Sequence, residues 1–444
     1  MTNSTPLLDL QNKLVSEFKD FEATANGSAA SALFSMRRKA IDVFNTLGFP
    51  TTKNEEWKYT NLEKFVNGDG GQQAPAPQTI TDPTYTIPGI ENAHQLVFVD
   101  GKYDENLSKP IIGDQGITIL TFSQAMATHP ALVAEYFGKS LNADVNGMVA
   151  LNTAFAMDGA FILVPQGAKP AHPVQIIYLS GGMDPKPMHQ FRNLIIVEEG
   201  ASLELIESYV SAGANASFSN FVSEIYVGQN AILNHYRFQD EDIENARQVN
   251  FTQVTQQLYS LVNNFTITTG GKLVRNDLQY KMADKNCESH MFGLYILDGT
   301  QHVDNHTLMD HAMPNCFSNE FYKGIMGGKS TGVFNGKIIV RPDAQKTNAY
   351  QSNKNVLLSD EAHINTKPQL EIFANDVKCS HGATTGQLDD EALFYLRSRG
   401  IGINDAKAIL TGAFAAEVIG NIGSEPLKEY AKGLIENKLS QIGK

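Results

Sequence analysis

Cys379 and His381 are the residues whose types and spacing best suit chemistry in this sequence. In extended backbone, side chains two positions apart project from the same face of a strand, so the thiol and the imidazole would lie side by side. A soft thiolate beside an imidazole suits iron, zinc or copper, and it also suits the handling of sulfur. Two ligands are too few for a closed site, so the residues alone leave a ligand role and simple packing both open.

A second group of candidate ligands lies between residues 287 and 316. Its members are Cys287, His290, His302, His306, His311 and Cys316. The C-x-x-H and H-x-x-x-x-C spacings could in principle close a tetrahedral zinc site. However, strand-like residues at 294–297 separate the two ligand pairs, which would need an unusual loop to meet. We therefore favour histidines that hydrogen-bond within a β core over structural zinc.

The segment G-I-M-G-G-K-S-T-G, from Gly324 to Gly332, contains the G-K-S/T end of a phosphate-binding loop. A P-loop needs a glycine at the position that Lys323 occupies here. The loop must also open a helix, whereas residues 333–340 are typical of strand and turn. We therefore expect no nucleotide to bind to this chain itself, and any ATPase in the system would be a partner.

Helix signals follow directly after the cysteine-histidine pair. Asp389 or Asp390 is a candidate N-cap, and Gly400 a stop. Asn404 is a candidate cap for a second helix to about residue 420, which is apolar nearly all round and must therefore be covered. Ser424 with Pro426 opens a last helix. Its single apolar stripe consists of Leu427, Tyr430, Ala431, Leu434 and Ile435.

The start of the chain is also predicted to be helical. Residues 6–25 and 31–47 carry apolar residues at nearly helical spacing, and Gly48 and Pro50 end the second segment. Trp57, the only tryptophan, is interpreted as a packing anchor. Gly, Gln, Thr and Pro are frequent at 68–88, which predicts an exposed connector.

From about Leu96 the sequence changes to short runs of β-branched and aromatic residues between Gly, Asn and Asp, which indicates strands. Three segments echo one another: V-E-E-G-A-S-L at 197–203, V-G-Q-N-A-I-L at 227–233 and L-S-D-E-A-H-I at 358–364. Successive coils of a stacked β-solenoid would require such repeats, although a β-sandwich would give similar strands and turns. Since no helical crossovers are evident between about 160 and 377, a doubly wound fold is disfavoured. We predict one continuous solenoid near 160–380.

Composition and charge limit the classes of function. A formal net charge of -13, with acidic residues at 240–242, argues against a protein that binds nucleic acid by counterion release. The 3 cysteines are far apart and odd in number, and no secretory leader pattern opens the chain, so we expect a cytoplasmic protein. No apolar run approaches the ~20 residues that span a bilayer, so we expect no membrane association.

Several segments in combination resemble the SufB/SufD family, whose members are scaffold subunits for iron-sulfur cluster assembly. The most specific is D-V-K-C-S-H-G-A-T-T-G-Q-L-D at 376–389, followed by A-L-F-Y-L-R-S-R-G-I at 392–401. The others are N-E-E-W-K-Y-T-N-L at 54–62, Y-K-G-I at 322–325, G-V-F-N-G-K-I at 332–338, D-A-Q-K-T at 343–347 and T-K-P-Q-L-E-I at 366–372. H-G-A-T and G-Q-L, in place of H-E-A-T and S-K-I, are similar to the SufD branch rather than to the SufB branch.

The resemblance implies a mainly β fold, with a right-handed parallel β-helix core between N-terminal and C-terminal helical regions. It therefore favours the solenoid over the sandwich. The implied divisions are an N-terminal helical region at 1–67, a connector at 68–95, a β-helix core at 96–388 and a C-terminal helical domain at 389–444.

The resemblance also implies a non-catalytic scaffold that works with partners. SufD proteins pair with a SufB subunit through their β-helix cores and bind the ABC-type ATPase SufC through their C-terminal helices. Cys379 and His381 would then lie near the SufB interface as ligands of a transient iron-sulfur cluster, with further ligands supplied by the partner. The candidate SufC-binding residues are Phe394, Tyr395, Arg399, Ile409 and Phe414.

Two other functions stay open from the sequence. A β-helix can carry carboxylate-based sugar chemistry, and Asp304, Asp310 and Asp343 could be recruited by an enzyme acting on polysaccharide. The chain has few aromatic residues arranged as a sugar platform, which argues against this function. A homodimeric scaffold built from this chain alone is the other alternative.

Overall fold

The computed structural model of the protein describes residues 5–25, 31–66, 85–111, 113–156, 158–181, 188–212 and 217–442. Most of the predicted connector, residues 68–84, lies outside the described residues. The helices are α1 (Thr5–Ala25), α2 (Ser31–Leu47), α3 (Glu63–Val66), α4 (Phe122–Thr128), α5 (Pro130–Tyr136), α6 (Gly147–Phe155), α7 (Asp390–Ser398), α8 (Ile403–Ile419) and α9 (Glu425–Gln441). None of these described helices has the length and apolar character needed to cross a membrane.

The strands fall into an early group and a long regular series. The early strands are β1 (His94–Val99), β2 (Lys102–Tyr103) and β3 (Thr118–Thr121). The series is β4 (Ala160–Val164), β5 (Val174–Ser180), β6 (His189–Val197), β7 (Ser202–Ser211), β8 (Ser217–Val227), β9 (Ile232–Asp240), β10 (Ala246–Gln256), β11 (Leu261–Thr268), β12 (Leu273–Met282), β13 (Glu288–Leu297), β14 (His302–His311), β15 (Phe317–Met326), β16 (Thr331–Val340), β17 (Asn348–Leu357), β18 (His363–Ile372) and β19 (Lys378–Gly386).

Successive strands of this series alternate between two sheets, so that each coil gives one strand to each sheet. One sheet has the order β19-β17-β15-β13-β11-β9-β7-β5-β1-β2, and the other has the order β18-β16-β14-β12-β10-β8-β6-β4-β3. All neighbours from β4 to β19 are parallel, for example β15 with β17 and β16 with β18. The chain is therefore a β-solenoid of about 7 turns flanked by helices, as predicted, and the antiparallel sandwich is excluded.

One corner of the solenoid is built from a ladder of left-handed residues, with a coil length of about 30 residues. The ladder consists of Gly167, Gly200, Asn230, Tyr259, Asn286, Asn315 and Lys346. The N–H of Gly200 donates to Gln229 O of the next coil at 2.8 Å, which ties neighbouring turns together. Two of the three sequence echoes stack at this corner, where Ala201 and Ala231 are buried. The third, around Ala362, lies at the opposite corner, before β18.

The space between the sheets is filled by every second side chain, and some of these side chains are charged. Glu207 of β7 accepts from Arg237 at 2.7 Å and pairs with His235 at 2.9 Å, both from β9. Burial alone would raise the pKa of Glu207, but the charges of Arg237 and His235 outweigh it and hold the pKa at about 2. The negative charge of Glu207 is thus balanced inside the lumen by groups from the next coil of the same sheet.

The N-terminal part packs on the outside of the second sheet. Trp57 is buried, with the Arg275 guanidinium 3.9 Å from its ring centroid, which confirms it as a packing anchor. Helices α4, α5 and α6 lie where the sequence analysis predicted strands. Helix α6 is buried on nearly all sides, so its residues show no amphipathic pattern that would separate a helix from a buried strand.

The C-terminal helices follow the last strand. Asp389 caps α7 by accepting from the backbone N–H groups of Glu391 and Ala392, and Gly400 takes φ +86 after its end, as predicted. The prediction of Asn404 as a cap is wrong. Because the chain turns at Gly402, α8 begins at Ile403 with no side-chain cap.

Helices α8 and α9 cover the outer face of the first sheet. In α8, Ala415, Val418 and Ile419 are buried in a cluster with aromatic and aliphatic side chains of β9, β11, β13 and β15. The predicted inward stripe of α9 is present in the same cluster. Lys323 of β15 fixes α8, since its Nζ donates to Phe414 O at 2.9 Å and pairs with Glu417 at 2.8 Å.

Candidate functional site

The solenoid is uncovered at its C-terminal end. Strand β19 pairs with β17, and β18 pairs with β16, but within the described residues neither terminal strand has a neighbour on its other side. All residues of β19 are exposed except Cys379, which is half-buried. A row of unpaired backbone N–H and C=O groups along such an edge is a template for adding another strand.

Both sequence-predicted site residues lie on this last coil. Cys379 is in register with Ala349, and His381 with Gln351. Ala349 and Gln351 are buried and face the lumen, so the thiol and the imidazole share the inward face of β19. The structure brings the two side chains to one face, where the open end leaves room for ligands from another molecule.

The two side chains differ in burial. Cys379 packs against the lumen core, and this burial raises the pKa of its thiol. A metal ion would displace the thiol proton on binding. His381 is exposed, and no hydrogen bond to it is present among the described residues. The pair therefore offers one sulfur and one nitrogen ligand at the mouth of the lumen.

Apolar side chains border this edge. Ile372 and Phe373, at the end of β18, are exposed, and so is Tyr350 of β17. Exposed aromatic and aliphatic residues beside an unpaired strand edge are typical of a surface that another chain covers.

The second group of candidate ligands is dispersed. Cys287 and Cys316 are buried one above the other, each immediately before its strand, β13 or β15. Each histidine has its own partner: His290 with Glu288, His302 with Thr60, His306 with Asp304 and Glu56, and His311 with Ser318. The group is thus not assembled into one site, and hydrogen-bonded histidines are the arrangement that the sequence analysis favoured.

The phosphate-loop-like segment is a turn between strands β15 and β16. Gly328 takes φ +56 in that turn, and Lys329 pairs with Glu361 at 2.9 Å. The strand β16 follows, as the sequence predicted, so the turn does not open a helix as a phosphate-binding loop would.

His94, Asp114 and His172 form a cluster that sequence reasoning missed. Their ligand atoms lie within 4.8 Å of one another. However, the Ile111 N–H donates to His94 Nδ1 at 3.1 Å, which places the ring proton on Nε2, 3.1 Å from Asp114. His172 and the Ala171 N–H also bond to Asp114. The cluster is therefore satisfied by hydrogen bonds and ties a loop to β1.

The candidate partner-binding residues of the C-terminal helices divide into two kinds. Phe394 and Tyr395 of α7 are 74% and 58% exposed, and Arg399 lies over the Tyr395 ring at 5.1 Å. Ile409 of α8 is also exposed. Phe414 is half-buried, with Lys323 Nζ 3.9 Å from its ring centroid, so it helps to hold α8 on the sheet.

Comparison with known proteins gives two family matches that together span most of the chain. Residues 180–414 match the family described as SUF system FeS cluster assembly, SufBD core domain, and residues 8–176 match the SufBD protein N-terminal region. The chain is 34% identical to an iron-sulfur cluster assembly SufBD family protein of Synechocystis sp., over 90% of each chain. It is 32% identical to the iron-sulfur cluster assembly protein SufD of Escherichia coli, over 88% of this chain and 90% of the relative.

Proposed function

Because this chain belongs to the SufBD family of iron-sulfur cluster assembly proteins, we propose that it is a scaffold subunit that binds and positions a nascent cluster without turning over a substrate. The uncovered terminal coil, with Cys379 and His381 on its inward face, is the observation that carries this proposal. The family assignment favours cluster assembly over the polysaccharide hypothesis.

The remaining ligands would come from a partner. A thiol and an imidazole leave at least two positions of a tetrahedral iron open. A SufB-like chain that adds its own end strand to β18 or β19 would bring its ligands to the same place. A site shared between two chains also suits transfer, since a cluster enclosed by one chain would leave slowly. In isolation, a second copy of this chain could use the same edge.

A SufC-like ABC ATPase would bind the exposed face of α7. Phe394 and Tyr395 are large apolar groups that the chain itself leaves uncovered. Aromatic residues with a neighbouring arginine are enriched in the energetically important parts of interfaces. Nucleotide would be bound by that partner. We place the assembly in the cytoplasm, where free thiols such as Cys379 stay reduced.

The test uses the complete complex with its SufB-like and SufC-like partners. Replacing Cys379 or His381 with Ala should lower the iron and sulfide bound per complex several-fold, while complex stoichiometry stays unchanged. The matched control is Ser380→Ala, which lies between them and faces outward. If His381→Ala leaves iron incorporation unchanged, the ligand role is wrong.

A further inference from the structure

A column of polar side chains lies under His381 inside the solenoid. His381 of β19 is in register with Gln351 of β17, which is in register with Glu320 of β15. Gln351 and Glu320 are buried and face the lumen. Since neighbouring strands are about 4.8 Å apart, each side chain lies within reach of the next.

Hydrogen bonds fix the lower part of the column. Gln351 Nε2 donates to Glu320 Oε2 at 3.0 Å, and Thr307 Oγ1 from the opposite sheet donates to the same oxygen at 2.7 Å. Since the nitrogen of the Gln351 amide is committed to Glu320, its oxygen must point elsewhere.

That oxygen is buried without a partner. Gln351 Oε1 has no hydrogen bond among the described residues, and buried acceptors in folded proteins are nearly always paired. His381 is the next residue of the column, and it too has no hydrogen-bond partner in the part of the chain that the structure describes. An imidazole N–H therefore matches an unfilled acceptor one coil below it.

The opposite sheet leaves space for the Gln351 amide. Gly336 of β16 faces it, and a Cβ atom at that position would lie 2.5 Å from Gln351 Nε2. A larger residue would displace the amide. Under Cys379 the column is different, because Ala349 and Ser318 lie there. Of the two candidate ligands, only His381 is thus placed over an amide side chain.

We propose that Gln351 and Glu320 are positioning residues for His381: Gln351 Oε1 accepts one ring N–H and turns the other, unprotonated nitrogen out of the open coil. The inference rests on the proposed role of His381 as a cluster ligand. Ligating histidines are commonly oriented by a hydrogen bond to the second ring nitrogen, which also fixes the tautomer. Neither residue contacts the cluster itself.

The test reads the His381 tautomer directly in the full chain. Nitrogen NMR at pH 8, with the signal assigned by His381→Asn, should show one tautomer dominating by about tenfold, which is the effect of one net hydrogen bond. Gln351→Met removes the acceptor at nearly constant volume and should bring the two tautomers toward equal populations. Gly336→Ala, which displaces the amide from the other sheet, should have the same effect.

Two controls separate positioning from general damage to the lumen. Glu320→Gln keeps the oxygen that accepts from Gln351 and Thr307, so it should leave the tautomer unchanged. Asn353→Leu removes another buried amide of β17, but it lies under Ala383 and should also leave His381 unchanged. Equal tautomer populations in the wild-type chain, or no change in Gln351→Met, would overturn the proposal.

Loading of the complete complex with iron(II) and sulfide distinguishes this inference from the proposed function. We expect Gln351→Met to lower loading several-fold. If Gln351→Met alters the tautomer while loading survives in both Gln351→Met and His381→Ala, the positioning of His381 by Gln351 is supported and the ligand role of His381 is contradicted. If His381→Ala abolishes loading but Gln351→Met leaves the tautomer unchanged, the ligand role of His381 is supported and its positioning by Gln351 is contradicted.

Discussion

Asp304 shows how single side chains fix the N-terminal part to the solenoid. Its carboxylate accepts from Arg275 and from Thr60, and it pairs with His306 Nε2 at 3.0 Å. Burial and the charge of Arg275 would lower the pKa of His306, but Asp304 and a hydrogen bond to Glu56 outweigh them and raise it to about 9. His306 is therefore a buried cation at neutral pH.

This pKa predicts a pH dependence of stability. Because the folded-state pKa of His306 lies above its unfolded value of about 6.5, its contribution is fully present below pH ~6.5 and is lost as pH rises through 9. The difference in unfolding free energy between wild type and His306→Gln should thus shrink by about 3 kcal/mol between pH 6.5 and 9.5. Denaturant titrations at several pH values measure it. A difference that stays constant would contradict the assignment.

His290→Gln is the matched control for this experiment. His290 lies on the outer face of β13, where its partner Glu288 is largely exposed. A pair with one largely exposed partner contributes little to stability, so this variant should change the free energy of unfolding by less than about 1 kcal/mol.

At the scale of elements, the N-terminal part is attached to the second sheet by the turn at Glu55–Trp57 and helix α3. Trp57→Ala removes a buried ring and uncovers Arg275, and we expect it to lower the free energy of unfolding by about 3 kcal/mol. Tyr59→Ala, in the same turn but 39% exposed, should change it by less than about 1 kcal/mol. Equal losses of unfolding free energy in the two variants would show that attachment of this segment to the sheet does not depend on the tryptophan.

The sequence predicted the elements whose ends are set by neighbouring residues. It did not predict features that depend on the pairing of strands distant in the chain. The start of α7 at Asp389 and its stop at Gly400 are set by residues within one turn, so the sequence alone located them. The position of Gln351 under His381 depends on the register between coils, which the pairing of distant strands sets. For the same reason, Cys379 and His381 could be placed on one face of a strand, but their position at an open end could not.

The C-terminal helices contribute unequally to the surface. Helix α7 buries none of its residues, whereas α8 and α9 cover apolar residues of the first sheet. A truncation after Leu388 would therefore expose part of the core as well as remove the proposed ATPase site, and substitutions on α7 give the cleaner test.

We expect the double variant Phe394→Ser and Tyr395→Ser to lower the affinity for the SufC-like ATPase at least about tenfold, because central aromatic residues dominate interfaces. Calorimetric titration with the purified ATPase measures this. The fold should be unaffected, since both side chains are exposed. Val145→Ser, at an equally exposed apolar residue away from α7, is the control. Full affinity in the double variant would remove α7 from the interface.

At the scale of the whole molecule, the proposed ATPase site and the proposed cluster site are adjacent along the chain. Helix α7 begins at Asp390, and only residues 387–389 separate it from the end of β19 at Gly386. A displacement of α7 by two ATPase copies, one on each scaffold subunit, would act on the strand that carries Cys379 and His381. Such coupling requires contacts that differ between the nucleotide states of the ATPase, and not proximity alone.

Pairing through the open end predicts the effect of one proline. The Lys378 N–H donates to Thr347 O, toward β17, and in a parallel ladder alternate residues bond to opposite sides. The N–H of Ala383 therefore faces the open edge.

Ala383→Pro removes this donor without breaking the bonds to β17, because proline is tolerated on the outer side of an edge strand. Binding to the SufB-like subunit should be lost, together with any homodimer of the isolated chain, as measured by analytical ultracentrifugation. Ala383→Val keeps the N–H and should bind normally. If the proline variant pairs with unchanged affinity, the partner does not add to β19, and the proposed site at Cys379 and His381 would have to be completed from another direction.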